Sequence, residues 1–142
     1  MERRQIVVDA SVVVKWFVEE EYSREARLLR DAYVNGLIDL IAPSLLPYEV
    51  LNALKYSGAY GEDELKEIAQ TLDDFQFTLF NLEGDLARKA IEIAMRKGVT
   101  IHDASYIALA QILNTEMYTA DEKLHRKIHD LTFIKHIVNF RI

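Results

Sequence analysis

The sequence predicts an α/β protein, a three-layer α/β/α sandwich with helices on both faces of a central, mainly parallel sheet. Two observations carry this expectation. Short runs rich in β-branched or aromatic residues alternate with longer segments whose apolar residues recur at three- and four-residue spacing. The glycines and the two prolines fall mainly at the ends of those segments, as in a compact domain. Strands interleaved with helices imply crossover connections, which set strands parallel and helices on the faces. The 142 residues match one ordinary domain, expected to span 1–142.

Element by element, Gln5 to Asp9 (QIVVD) reads as a short buried strand, and the helical stretch VVVKWFV follows Ser11. Ser23 to Val34 sets Ala26, Leu29, Ala32 and Tyr33 at helical spacing, with Asn35-Gly36 as the stop. Ile38 to Ala42 forms a second strand, closed by Pro43, and Ser44 is the expected N-cap of the helix LLPYEVLNALKYS. Gly58 and Gly61 mark a turn before a helix over Glu62 to Leu72. Phe75 to Leu82 (FQFTLFNL) alternates like a strand, Gly84 to Arg96 is helical, and His102 to Leu113 is a helix with alanines suited to close packing. The tail gives a strand over Glu116 to Thr119, a helix over Asp121 to His129 and a last strand over Phe133 to Val138.

Composition removes several function classes. There is no cysteine, so disulfides, thiolate ligands and a cysteine nucleophile are excluded, and any metal must be held by oxygen or histidine. The net charge of −6 disfavours coating nucleic acid by bulk electrostatics, so contact with RNA has to be local or metal-mediated. The opening MERRQIVVDA carries only a short apolar run broken at Asp9, so neither a signal peptide nor a membrane anchor is expected. The expected location is cytoplasmic.

Four acids stand out. In an open parallel sheet ligands bind beyond the carboxyl ends of strands, where acids distant in sequence converge; Asp9 and Asp121 occupy such positions. Glu49 rises from the apolar neighbourhood of Leu45, Leu46 and Ala53, where an unpaired carboxylate is costly. A divalent cation removes that cost, because Mg²⁺ and Mn²⁺ take oxygen ligands and let several carboxylates share one site. Each acid also has a structural role open to it. Asp9 or Ser11 can cap the following helix, Thr100 with Asp103 resembles a capping box, and Thr119 with Glu122 resembles another that frees Asp121 to face the crevice. Glu49 can pair with Lys15 or Lys55.

The segments VVDASVVVKWF, PYEVLNAL, HDASYIALA and TADEKL, in this order over nearly the whole chain, resemble the PIN-domain family and specifically its VapC-like toxins. The resemblance implies an endoribonuclease dependent on Mg²⁺ or Mn²⁺, the toxin of a type II toxin-antitoxin pair, with metal held by the catalytic quartet Asp9, Glu49, Asp103 and Asp121. It implies that Ser11 and Thr119 orient metal, water or carboxylate. It further implies an RNA substrate, a homodimer, and an antitoxin whose segment enters the groove, often with a basic side chain; the acidic surplus agrees with a basic partner. His102, directly before Asp103, departs from many relatives; of ligand, base and helix-terminal residue, the last is the favoured reading.

Trp16, Phe17, Tyr48, Tyr106 and the FQFTLF run are read as core or dimer contacts rather than a base-stacking platform. The dispersed Lys15, Lys55, Lys97, Lys123 and Arg126 are read as solvated surface rather than a phosphate path. A haloacid-dehalogenase-like phosphatase with Asp9 as nucleophile needs a second acid two positions on, where Ser11 stands. A response-regulator receiver needs acids paired after its first strand. The remaining alternative is a PIN-like scaffold that binds metal or a partner without cutting RNA.

Overall fold

The computed structural model describes residues 3–142; Met1 and Glu2, where the opening segment begins, lie outside it. Five strands, β1 (Arg4–Val8), β2 (Ile38–Pro43), β3 (Thr78–Phe80), β4 (Glu116–Thr119) and β5 (Ile134–His136), form one sheet in the order β3-β2-β1-β4-β5. Every neighbouring pair is parallel, with Ile6 opposite both Leu40 and Glu116. Strands covered on both faces need continuous apolar runs rather than alternation. Accordingly Ile6, Val7 and Val8 of the central strand are all at 0% exposure.

Seven helices fill the connections: α1 (Ala10–Val14), α2 (Ser23–Val34), α3 (Leu46–Ser57), α4 (Glu62–Asp74), α5 (Gly84–Lys97), α6 (Ile101–Ile112) and α7 (Glu122–Lys127). A single 3₁₀ turn, Ile137–Asn139, follows β5. The chain winds outward from β1 in both directions, first to β2 and β3, then to β4 and β5. The order therefore reverses between β1 and β4, and the crevice beyond their carboxyl ends is where such sheets place a ligand. Helix α6 is the innermost helix: Ala104 through Ala110 are buried without interruption, and it packs on α5, β1, β2 and β4. Its alanines let backbones approach closely, as their spacing predicts.

Several boundaries differ from expectation for identifiable reasons. The VVVKWFV segment is helical only to Val14, and Lys15 to Phe17 continue as turns held by bonds from each amide to the carbonyl three residues back. Ser44 is not the cap of α3; its amide extends the sheet by donating to the Phe80 carbonyl at 2.8 Å, and Leu45 takes the cap position without a side-chain bond. The FQFTLFNL run yields only a three-residue strand. Gln76 turns into the left-handed region at φ 55°, and Phe75 and Phe77 stack on each other at 5.5 Å and close on Trp16 at 5.1 and 5.9 Å. Their alternation encodes an aromatic cluster, sealed by the Tyr33 hydroxyl donating to the Phe75 carbonyl at 2.6 Å. The last two elements are shorter than expected, α7 ending at Lys127 and β5 at His136. Among the described residues no helix is long and apolar enough to cross a membrane.

Removing the Ile6 side chain from the middle of the sheet opens a cavity that the rigid layers cannot close. We expect Ile6→Ala to lower unfolding free energy by about 2–5 kcal/mol in a urea titration. Val34→Ala, at a site 64% exposed, should stay within about 0.5 kcal/mol of the parent.

Candidate active site

The crevice at the strand-order reversal is built from four parts of the chain: the ends of β1 and β4 and the starts of α3 and α6. Asp9 leaves the end of β1, and its amide still donates to the Tyr118 carbonyl at 3.1 Å, so it is fixed to the sheet. Glu49 follows β2 and lies in the first turn of α3; Asp103 lies in the first turn of α6. Helices of a crossover run back against the strands, so the first turns of α3 and α6 open at the carboxyl edge where Asp9 sits. Both acids there face the positive end of a helix dipole, which favours their charged forms.

Asp9 is 6% exposed, and its carboxylate does not cap α1. Instead Oδ2 accepts from Ser11 Oγ at 2.9 Å and from Thr119 Oγ1 at 2.7 Å. The single proton of each hydroxyl is aimed by an amide on its other side, Ala120 N on Ser11 Oγ at 2.9 Å and Asp121 N on Thr119 Oγ1 at 3.1 Å. Both protons thus go to the carboxylate. Oδ1 takes no protein donor among the described residues.

Glu49 pairs with neither lysine suggested for it. Lys15 reaches Glu20 at 3.0 Å and Lys55 lies over the Tyr56 ring, whereas Glu49 Oε1 accepts from the buried Tyr106 hydroxyl at 2.8 Å. Thr100 caps α6 by accepting from the Asp103 amide at 3.0 Å, and Thr100 also favours the charged form of the Asp103 carboxylate. Asp121 departs from expectation: it caps α7 itself, Oδ1 accepting from Leu124 N at 3.0 Å, while Thr119 turns to Asp9 instead. The exposed Asp121 sits at the rim of the cluster.

Electrostatics tie these acids together. Burial pushes Asp9 up to about 6, against the two hydroxyls that stabilise its charge, and the negative charges of Asp103 and Glu49 push it further. Burial and Asp103 likewise raise Glu49, while Tyr106 and His102 oppose them. Asp103 is raised by burial and by Asp121, against Thr100, His102 and Lys127. His102, exposed in the first turn of α6, lies close enough to Glu49 and Asp103 to oppose the rise of both. Among the described residues no three acid or histidine side chains already form a coordination cage.

A hard divalent cation fits this donor set in kind. All donors are carboxylate oxygens, Asp9 and Glu49 each keep one oxygen without a protein donor among the described residues, and the acids repel one another in a desolvated crevice. Mg²⁺ retains several waters, which bridge to carboxylates standing too far for direct ligation. Strand ends and helix starts made candidate acids findable, and the resemblance to the PIN-domain family supplied the quartet and the two hydroxyls. Tyr106 was assigned to the core, although its place three residues after Asp103 puts both on one face of α6.

The elevated Asp9 makes the metal-free protein pH-sensitive. Its folded-state value of about 6 lies above the ordinary 3.8, so the stability it contributes is complete below about pH 4 and is lost as pH rises through about 6. Urea titrations in EDTA should show wild type losing up to roughly 3 kcal/mol relative to Asp9→Asn across that window. Parallel pH curves for the two proteins would contradict this.

Comparison with known proteins places the chain. The PIN domain family matches residues 6–129. Ribonuclease VapC3 of Pyrobaculum aerophilum is 34% identical over 128 residues, 87% of this chain and 94% of that protein. Among solved structures, a toxin-antitoxin complex from Klebsiella pneumoniae superposes with a TM-score of 0.67 at 16% identity, over 91% of this chain and 94% of that one. A Pyrobaculum aerophilum protein known from its crystal structure gives 0.64 at 20% identity, over 95% and 85%. At these identities the two structures bear on the fold alone, which they share. From the family match and the VapC3 relationship, the chain belongs to the PIN-domain family, in its VapC-like branch.

Proposed function

We propose that this protein is a metal-dependent endoribonuclease, hydrolysing RNA phosphodiester bonds as the toxin of a toxin-antitoxin pair. One observation carries the reading: a buried carboxylate, Asp9, is clamped by two hydroxyls at the sheet's reversal point and is coupled electrostatically to Glu49 and Asp103. A fold that needed only a cap or an ion pair at these positions would not gather three partly desolvated acids. The ribonuclease name of the VapC3 relative supports the same class.

In this reading Asp9, Glu49, Asp103 and Asp121 hold Mg²⁺ or Mn²⁺, and Ser11 and Thr119 fix the Asp9 carboxylate. When bound, such a cation activates water, polarises the scissile phosphate and stabilises the leaving oxygen. The chain's own part is to hold carboxylates desolvated and oriented, with Asp9 presented from Oδ1 and Glu49 from Oε2. His102, beside Glu49 and Asp103, offers local positive charge to an incoming phosphate when protonated. Without a cation the acidic crevice repels RNA, so binding and chemistry both depend on it. The net charge of −6 suits a basic antitoxin segment entering the groove; a homodimer and a cytoplasmic location belong to the same proposal and rest on the family resemblance.

Incubation of the protein with total cellular RNA and Mg²⁺ or Mn²⁺, with cut ends mapped by sequencing, tests this. Wild type should give discrete cuts abolished by EDTA, and Asp9→Asn and Asp103→Asn should lose more than about 100-fold in rate while keeping the thermal transition. Variants that cut as fast as wild type would remove these acids from the site. A protein that binds metal but cuts no RNA would favour the scaffold.

A further inference from the structure

Tyr106 is a core residue by burial and an active-site neighbour by contact. Its side chain is at 0% exposure in the most enclosed helix of the fold, yet its hydroxyl leaves the core to donate to Glu49 Oε1 at 2.8 Å. A hydroxyl on a carboxylate oxygen at this distance is a normal, directed hydrogen bond, and burial holds the ring so that it cannot swing away. A phenol carries its proton at neutral pH, and here that proton is directed at Glu49 Oε1 from a ring that the core encloses. Tyr106 is therefore a fixed donor.

The bond ties together helices whose main packing partners differ. Helix α3 packs mainly on α1 and α4, whereas α6 packs on α5 and three strands, so Glu49 and Asp103 ride on different bodies. Asp103 stands three residues before Tyr106 on α6, and α6 lies against β1, whose end carries Asp9. One hydroxyl thus references the acid of α3 to the helix of Asp103 and the strand of Asp9. It repeats the arrangement at Asp9, where protein hydroxyls occupy one carboxylate oxygen and leave the other.

Resting on the metal-site reading above, we infer that Tyr106 is a positioning residue: by holding Glu49 Oε1 it sets the acid's distance from Asp9 and Asp103 and leaves Oε2 as its cation-binding oxygen. It touches neither RNA nor the reacting phosphate; its effect passes through Glu49.

Mn²⁺ binding without RNA, followed by electron paramagnetic resonance, tests this in wild type, Tyr106→Phe, Glu49→Gln and the double variant. Thermal unfolding in EDTA provides the folding control. Tyr106→Phe keeps the ring and its packing, and the amide oxygen of Glu49→Gln still accepts the Tyr106 bond, so both should fold. Tyr106→Phe should weaken Mn²⁺ binding by about tenfold in the wild-type background and leave it unchanged in the Glu49→Gln background. Unchanged affinity in Tyr106→Phe while Glu49→Gln weakens binding would overturn the inference and spare the metal site. An equal loss in both backgrounds, or loss of the fold in EDTA, would overturn it as well, since the hydroxyl would then serve packing rather than Glu49. If wild type and Glu49→Gln bound Mn²⁺ equally, the metal-site reading itself would fall, and the inference with it.

Discussion

Gathering carboxylates of one sign in a desolvated crevice is the constraint on which the rest of this structure depends. Asp9 lies almost wholly buried, and its charge is opposed by burial and by Glu49 and Asp103. Such a cluster costs folding free energy, and the fold meets the cost with directed donors: two hydroxyls on Asp9, one on Glu49, and the positive ends of α3 and α6. The donors stabilise charge without neutralising it. What remains is an electrostatic strain that the proposed cation would relieve and that the core must be stiff enough to hold.

The sheet supplies that stiffness. Because the strand order reverses between β1 and β4, the segments after them lead away in opposite directions, and Asp9 and the Thr119-Asp121 turn, joined by hydrogen bonds, stand together beyond the strand ends. Thr119 is 0% exposed and opposite His136 in the sheet, so the hydroxyl clamping Asp9 is as fixed as a backbone atom. Helix α6 buries seven consecutive residues and carries both Asp103 and the Tyr106 hydroxyl to the same edge. Core and site are here one set of residues seen from two sides.

Most of this was legible in the sequence, because central strands buried on both faces leave uninterrupted runs such as IVV and acids at strand ends and helix starts stand in fixed register to them. What escaped was decided by partners remote in the chain. Phe75 and Phe77 alternate as a strand would, but Trp16 and Tyr33, far upstream, turn them into a cluster. The family resemblance placed Thr119 beside a carboxylate, and Asp9, 110 residues away, takes its proton; what the local capping pattern missed is that Asp121 itself caps α7. Tyr106 has the pattern of a core residue and is one; only the position of Glu49 reveals the hydroxyl's second task.

The central claim is that Asp9 is held in a charge-strained state that a divalent cation relieves. Thermal unfolding of wild type and Asp9→Asn, in EDTA and in excess Mn²⁺ near neutral pH, measures this directly. The account predicts that Asp9→Asn is at least as stable as wild type in EDTA, and that Mn²⁺ raises the wild-type transition by several degrees while leaving the variant nearly unmoved. A variant less stable than wild type in EDTA, with an equal Mn²⁺ shift in both proteins, would contradict it.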